Sequence, residues 1–363
     1  SDPAPSRIGR SIPEGLTASC RVRRPAVRAG YLKLGSQTRR DRGAEPFVEI
    51  PWDEALDIVA AELDRVRTDH GNASIYGGSY GWSSAGRFHH AQSQVHRFLN
   101  TIGGYSYYVE TYSSGAARRM LPHIIGGMES LRRMHTDWSV LERACEMFVA
   151  FGGLPTRNAQ VSSGGATLHT IPDWLRRLDA SGVQFVNVSP VRDDMEEFPG
   201  AEWLPVAPHS DTALMLALSY VLYDEGLYDP DFIERCTVGF DRFLPYLTGA
   251  SDGVAKTPEW AEKICQIPAA TILGLARRMG QSRTMINVTW ALQRAIGGER
   301  VYWAAVTLAS LLGQIGTEGG GLHVVDLASR RELHLLDVHR KGIFRILPLP
   351  DARVACAAGD GTL

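Results

Sequence analysis

The chain has 363 residues, of which 44% are apolar and 21% are charged, and its formal net charge is -2. This length allows one large or two ordinary globular domains, and the balanced charge gives no basic footprint for nucleic acid. No apolar run is long enough to span a membrane. The five cysteines are too scattered for a disulfide framework, a zinc site or an iron–sulfur cluster.

Residues 1–45 are rich in Pro, Arg, Ser and Gly and show little periodicity, which predicts an extended arm or the remnant of a larger N-terminal region. The pairs Arg23-Arg24 and Arg39-Arg40 are not followed by the apolar segment of an export signal, which favours a cytoplasmic protein. The periplasm stays open as an alternative, because the chain begins at Ser1 and a leader could have been removed.

The next segment predicts a helix and a strand. Pro51 opens a stretch in which apolar residues recur at helical spacing as far as Val66, and Gly71 stands where a C-terminal cap belongs. We expect this helix to bury one face. Residues 73–77 predict a short buried strand, and the glycines that follow would let the backbone approach a ligand closely.

Three further apolar runs lead directly into polar or glycine-rich loops, at 147–151, 183–188 and 285–290. Helical stretches such as 174–178 and 213–222 separate them, which predicts parallel βαβ units. Ligands of such sheets bind beyond the carboxyl ends of the strands, so we expect a doubly wound α/β core that holds a nucleotide-like ligand. A nicotinamide dehydrogenase is disfavoured, because no GxGxxG motif has the required spacing.

Two stretches carry a more specific signal, Ser79-Tyr80-Gly81-Trp82 and Tyr112-Ser113-Ser114-Gly115-Ala116-Ala117. They resemble the Ser-Tyr-Gly-Trp and Tyr-Ser-Thr-Gly-Ala-Ala motifs of the dimethyl sulfoxide reductase family of molybdopterin enzymes. The similarity extends from about Arg21 to Gly321. The run Gly152-Gly153-Leu154-Pro155, followed by 158–162, is most similar to the biotin sulfoxide reductase branch.

The resemblance implies a fold, a cofactor and a reaction. The fold would comprise the α/β domains II and III of such enzymes, with mostly parallel sheets and flanking helices, and would lack their C-terminal barrel domain. The cofactor would be molybdenum bound by two molybdopterin guanine dinucleotides, Mo-bis(molybdopterin guanine dinucleotide). The reaction would be reduction of S-oxides such as biotin or methionine sulfoxide, with N-oxides as a further substrate class.

In the family, a serine ligates the metal and a tyrosine–tryptophan pair faces its oxo group. Those positions are Ser113, Tyr80 and Trp82. Donors aimed at the oxygen being transferred would stabilise charge in the transition state, and Tyr80 would also supply the proton. The alternatives are that Ser113 caps a turn before Gly115, and that Tyr80 and Trp82 are amphipathic residues at a core boundary.

The resemblance also implies contacts to the dinucleotide. Arg157 and Asn158 would bind phosphate and pterin, whereas Val188 and Ser189 follow a strand where ribose usually lies. The remaining positions are His209, Ser210, Asp211, Trp290, Ala291 and Arg294. Asp211 would accept hydrogen bonds from guanine, although capping of the following helix alone would also explain it. We interpret Asp193 and Asp194 as part of a solvated acidic loop.

The resemblance predicts an arm at 1–45, a first α/β domain at 46–145 plus 311–363, and a Rossmann-like dinucleotide-binding domain at 146–310. Complete family members extend beyond both ends of this chain. We therefore expect a fragment, a truncated product or one piece of a split enzyme whose C-terminal half is supplied in trans. The alternative to an enzyme is an incomplete module that binds one guanine dinucleotide or acts only by association.

Overall fold

A computed structural model describes residues 5, 8–38, 43–78, 90–111, 113–128, 136–160, 169–323, 343–348 and 354–358. The chain divides into two compact units, one built on Pro5–Val109 and one on Glu110–Ser162 and Ala166–Leu363. The domain boundaries predicted from the sequence, at 45, 145 and 310, stay a prediction.

The first unit contains four described helices and one small sheet. Its helices are α1 (Ile8–Thr17), α2 (Ala29–Leu34), α3 (Trp52–His70) and α4 (Ala91–Thr101), and its strands are β1 (Ala26–Arg28) and β2 (Phe47–Glu49). The two strands pair antiparallel, with Val27 opposite Val48. This unit is therefore mainly helical where the structure describes it.

The helix α3 confirms the predicted boundaries but not the predicted burial. It follows Pro51 and ends at Gly71, whose φ of 76° is the left-handed conformation that suits glycine. None of its residues is buried, and Leu56 and Val59 are 59% and 54% exposed. The apolar face that the spacing predicts is thus present but only partly covered, with Leu63 and Val66 half-buried.

The strand predicted at 73–77 is not a continuous strand. Residues Asn72–Ser74 form a 3-10 turn, and a single parallel bridge joins Tyr76 to Ser106. The Asn72 side chain donates to the carbonyl groups of Ile102 and Gly104, at 3.0 and 2.8 Å. Two backbone hydrogen bonds accompany the bridge, from Ser106 N to the Ile75 carbonyl at 2.8 Å and from Gly77 N to the Ser106 carbonyl at 3.0 Å.

The second unit contains nine described helices and seven strands. The helices are α5 (Gly115–Ile125), α6 (Trp138–Ala144), α7 (Ile171–Ala180), α8 (Asp211–Asp224), α9 (Pro230–Cys236), α10 (Phe240–Leu247), α11 (Pro258–Cys265), α12 (Ala269–Gln281) and α13 (Arg300–Leu311). The strands are β3 (Met147–Phe151), β4 (Gln184–Val188), β5 (Glu202–Leu204), β6 (Thr284–Val288), β7 (Gly321–His323), β8 (Ile343–Pro348) and β9 (Val354–Ala358). None of the helices described in either unit combines the length and apolar character needed to cross a membrane.

Five of these strands form one parallel sheet in the order β5-β4-β3-β6-β7, and β8 pairs with β9 in a separate antiparallel ribbon. The register places Ala150 beside Asn187 on one side and Asn287 on the other. The predicted parallel βαβ arrangement is therefore confirmed. The strands β5 and β7 were not predicted, because three residues give too short a pattern to recognise.

Alternate residues of the strands feed two cores, one on each face of the sheet. Val149 and Phe151 join the larger core, against α5, α8, α11, α12 and α13, whereas Phe148 and Ala150 join the smaller one, against α6 and α7. Since each fully buried large side chain contributes about 1.5–3 kcal/mol, both layers stabilise the sheet. Helices on both faces of a parallel sheet confirm the doubly wound α/β class.

Candidate functional site

The candidate site lies at the carboxyl edge of the five-stranded sheet. From β3 the chain proceeds to β4 and β5 on one side, and then returns to add β6 and β7 on the other. β3 and β6 therefore flank the point at which the strand order reverses, where open α/β sheets bind ligands. All the dinucleotide-binding residues predicted between 157 and 294 lie at or shortly after the end of a strand of this sheet.

Two glycines shape the loop after β3. Gly152 and Gly153 have φ values of 82° and 74°. A Cβ atom at Gly152 would lie 2.1 Å from Oγ1 of Thr289, and one at Gly153 would lie 2.5 Å from the backbone oxygen of Asp194. The loop therefore fits against its neighbours only without side chains at these positions.

Asp194 joins two of the predicted cofactor-binding residues. Its Oδ2 accepts a hydrogen bond from Ser189 Oγ at 2.7 Å, and its Oδ1 forms an ion pair with Nη2 of Arg157. The Asp194 side chain is only 16% exposed, whereas that of Arg157 is 60% exposed. Asp194 is thus a half-buried, hydrogen-bonded part of the site and not a solvated loop residue, which corrects the interpretation from the sequence.

The other two residues predicted near these loops present little side-chain chemistry. Asn158 is exposed, and its backbone N–H donates to the carbonyl of Pro155 at 3.0 Å. Val188 is fully buried in the larger core, and its carbonyl accepts from Gly152 N at 2.8 Å. Val188 therefore fixes the two loops against each other, and its side chain faces the core.

Asp211 is the least solvated acidic residue of the described edge. It is 4% exposed, it begins α8, and its Oδ1 has no hydrogen-bond partner among the described residues. Burial raises the pKa of Asp211 to about 6, against smaller lowering effects of its own backbone N–H and of His209. A buried carboxyl oxygen without a partner is costly, which points to a ligand donor.

The two residues before Asp211 form the turn that places it. Ser210 Oγ donates to the carbonyl of Ala207 at 2.5 Å, and Ser210 occupies the capping position of α8 without a side-chain cap bond. His209 is exposed and has a φ of 68°, which is unusual for a residue other than glycine. The helix thus starts one residue after Ser210, and Asp211 lies in its first turn.

The turn after β6 holds Trp290, Ala291 and Arg294. Trp290 is 8% exposed and its ring centroid lies 5.5 Å from that of Tyr302, whereas Ala291 and Arg294 are exposed. Tyr302 Oη donates to the carbonyl of Thr289 at 3.3 Å, and burial raises the pKa of Tyr302. Trp290 is therefore anchored in the core, whereas the Arg294 side chain is exposed.

Ser113 lies in the turn before α5 and is half-buried. Its backbone N–H donates to Oγ1 of Thr111 at 3.2 Å, and its carbonyl accepts from Nε2 of Gln293 at 2.7 Å. The structure therefore brings Ser113 to the turn after β6, within the same unit. Tyr80 and Trp82 fall in 79–89, outside the described residues.

The edge combines cationic groups with a hydrogen-bond acceptor. Arg157 and Arg294 are exposed and suit the oxygens of a phosphate, and Asp211 suits the N–H groups of a heterocyclic base. The N-terminus of α8 adds the positive end of a helix dipole beside Asp211. Together these groups suit an anionic ligand that also carries N–H donors.

The chain is similar in sequence to known proteins over most of its length. The family model of molybdopterin oxidoreductases matches residues 21–346. The chain is 43% identical to a biotin sulfoxide reductase of Cereibacter sphaeroides over 88% of its own length, and 40% identical to a dimethyl sulfoxide/trimethylamine N-oxide reductase of the same organism over 88%. It is 36% identical to a trimethylamine-N-oxide reductase of Haemophilus influenzae over 87%.

The chain spans only part of each of these relatives. It covers 43% of the biotin sulfoxide reductase, 39% of the Cereibacter sphaeroides dimethyl sulfoxide/trimethylamine N-oxide reductase and 38% of the Haemophilus influenzae protein. About two fifths of their length therefore corresponds to this chain.

Proposed function

The chain belongs to the molybdopterin oxidoreductase family, and from this premise we propose that it forms the cofactor-binding part of a molybdenum enzyme that reduces S-oxides. The family implies a molybdopterin-type cofactor, and we propose its bis(molybdopterin guanine dinucleotide) form. Biotin or methionine sulfoxide represents the proposed substrate class, with N-oxides as a further class. The names of the relatives, which are sulfoxide and N-oxide reductases, support this proposal.

The observation that carries the proposal is the buried Asp211 carboxyl group at the edge of the sheet. Its Oδ1 has no partner among the described residues, and burial already disfavours its charge. A guanine base offers adjacent N–H donors to a carboxylate, which would supply the missing hydrogen bonds. The residues present at this edge therefore fit the nucleotide portion of the proposed cofactor.

The neighbouring loops fit the rest of the dinucleotide. The glycines Gly152 and Gly153 let the loop after β3 pack closely against Thr289 and Asp194 at this edge. Arg157 and Arg294 would bind the pyrophosphate, while Ser189 would contact ribose and Asn158 the pterin portion. Trp290 and Ala291 would line the same groove, and His209 and Ser210 would shape the turn beside guanine.

Reduction of a sulfoxide breaks the S–O bond, takes up two electrons and two protons, and releases a sulfide and water. The bound molybdenum centre supplies the two-electron redox change. Ser113 Oγ would be the protein ligand of the metal. Tyr80 Oη would donate a hydrogen bond and then a proton to the substrate oxygen, and Trp82 Nε1 would hold the same oxygen.

The proposal extends to the partners of the chain. The electrons would come from an external donor, and a C-terminal half acting in trans is a proposed partner. The alternative predicted from the sequence is a second candidate function. In that reading, the chain binds one guanine dinucleotide, or acts only by association, without turnover of its own. The cytoplasmic location stays a prediction.

The replacement Ser113→Ala tests the proposed enzyme. We expect S-oxide reduction by the molybdenum-loaded protein, measured with a reduced viologen dye, to fall by at least about 100-fold, because a metal ligand contributes more than its surroundings do. Ser114→Ala is the matched control, since Ser114 is adjacent and makes no side-chain cap bond to α5. Equal rates in the two variants would refute the ligand assignment.

A further inference from the structure

A single buried side chain connects the Ser113 turn to the turn after β6. Gln293 is 6% exposed, and both the oxygen and the nitrogen of its carboxamide make hydrogen bonds. Its Oε1 accepts from Ala117 N at 3.0 Å, and its Nε2 donates to the carbonyl groups of Ser113 at 2.7 Å and Trp290 at 3.1 Å. These bonds join segments that are 176 and 180 residues apart in the chain.

The bond to Ala117 supplies a cap that α5 lacks locally. Ala117 lies in the first turn of α5, where backbone N–H groups have no partner within the helix. Ser114 occupies the capping position, but its side chain makes no cap hydrogen bond. Gln293 therefore caps α5 from a distant segment and at the same time holds the carbonyl of Ser113.

The position of Gln293 is itself fixed by close packing. A Cβ atom at Gly298 would lie 2.2 Å from the backbone oxygen of Gln293, so the chain returns tightly over this residue. The two acceptors and the one donor around the carboxamide also fix its orientation, because a reversed amide would oppose Nε2 to Ala117 N. The backbone of Gln293 is thus closely packed, and both polar atoms of its carboxamide have hydrogen-bond partners.

We propose that Gln293 is a positioning residue that sets where Ser113 presents its hydroxyl oxygen. The inference rests on the proposed function, because it takes Ser113 to be the molybdenum ligand. Gln293 acts through the backbone that follows the ligand side chain, at the Ser113 carbonyl and at the Ala117 N–H. It also couples the ligand to Trp290, in the turn that would contact the dinucleotide, so metal ligation and dinucleotide binding share one anchor.

The test replaces Gln293 by methionine, which is unbranched like glutamine but has no N–H donor. Gln314→Met is the matched control. Gln314 also ties two backbone segments, accepting from Thr284 N at 2.7 Å and donating to the Ser282 carbonyl at 2.9 Å. Those bonds lie at the amino end of β6, so the control loses similar hydrogen bonds at the opposite edge of the sheet.

The first readout needs no cofactor. In Gln293→Met we expect hydrogen exchange in the peptide that covers residues 113–121 to become about tenfold faster, because one backbone cap bond is lost. Gln314→Met should leave this peptide unchanged. The second readout is molybdenum X-ray absorption of the loaded proteins. The scattering of the single protein oxygen ligand should be lost in Gln293→Met and kept in Gln314→Met.

The outcomes separate this inference from the proposed function. Wild-type protein that takes up no molybdenum in a host with intact molybdopterin synthesis would overturn the proposed function and the inference with it. A molybdenum centre with the same oxygen ligand in both variants would overturn the positioning role alone, as would equal exchange of the 113–121 peptide. If Gln293→Met does not fold, Gln293→Glu keeps the volume and the acceptor for Ala117. It should lose the same oxygen ligand at neutral pH, and retention of that ligand would contradict the proposal.

Discussion

At the scale of one residue, the buried carboxyl group of Asp211 lowers the stability of the cofactor-free protein at neutral pH, where this group is ionised. Its pKa rises from 3.8 to about 6 because burial disfavours the charged form. The folded protein therefore binds this proton more tightly than the unfolded chain does. The resulting stabilisation is fully present below about pH 4 and is lost as the pH rises through about 6.

The replacement Asp211→Asn should remove this pH dependence. Above about pH 7, we expect the cofactor-free variant to be more stable than the wild type by up to about 3 kcal/mol, with no gain below about pH 4. Thermal unfolding at both pH values measures the difference. A gain of equal size at both pH values would show that ionisation of Asp211 is not its cause.

The sequence could name most residues of the candidate site but not the contacts between them. Asp211 and Ser113 follow from motifs that resemble a known family, so their positions can be read locally. Asp194 and Gln293 act through tertiary contacts, to Arg157 and to Ser113, and neither contact leaves a local pattern. Asp194 also stands in an acidic run, which by itself is typical of a solvated loop.

At the scale of elements, the length of a segment decided what the sequence could predict. The five-residue strands β3, β4 and β6 are continuous apolar runs, and their prediction is confirmed. The strands β5 and β7 have three residues each and are recognised only by their partners in the sheet. The face of α3 was predicted correctly as apolar, but its burial depends on neighbours that a helical period does not specify.

The loop after β3 provides a test at this scale. The control is Gly182, which precedes β4 and has a φ of 91° with open space around it. Gly182→Ala should lower the free energy of unfolding by about 1 to 2 kcal/mol, because only the left-handed conformation opposes the new side chain. Gly153→Ala should cost about 2 kcal/mol more, because its Cβ would also meet the backbone of Asp194. Urea unfolding of both variants measures the difference, and equal costs would show that the loop can move aside.

At the scale of the molecule, the chain combines a mainly helical unit with a doubly wound unit that carries the described part of the site. The βαβ periodicity alone predicted the class of the second unit and the edge at which a ligand would bind. The chemistry required more, because strand ends gather polar loops in many α/β proteins. Only the motif resemblance, and then the family match, connected the chain to a molybdopterin-type cofactor.

The proposed function places a guanine-containing molybdenum cofactor at the carboxyl edge of this sheet. Its most direct test is the molybdenum and guanine nucleotide content of protein produced in a host with intact molybdopterin synthesis, compared with that of Asp211→Ala. We expect the wild-type protein to carry both components and Asp211→Ala to lose most of both. Folded wild-type protein that carries neither molybdenum nor guanine nucleotide would contradict the claim.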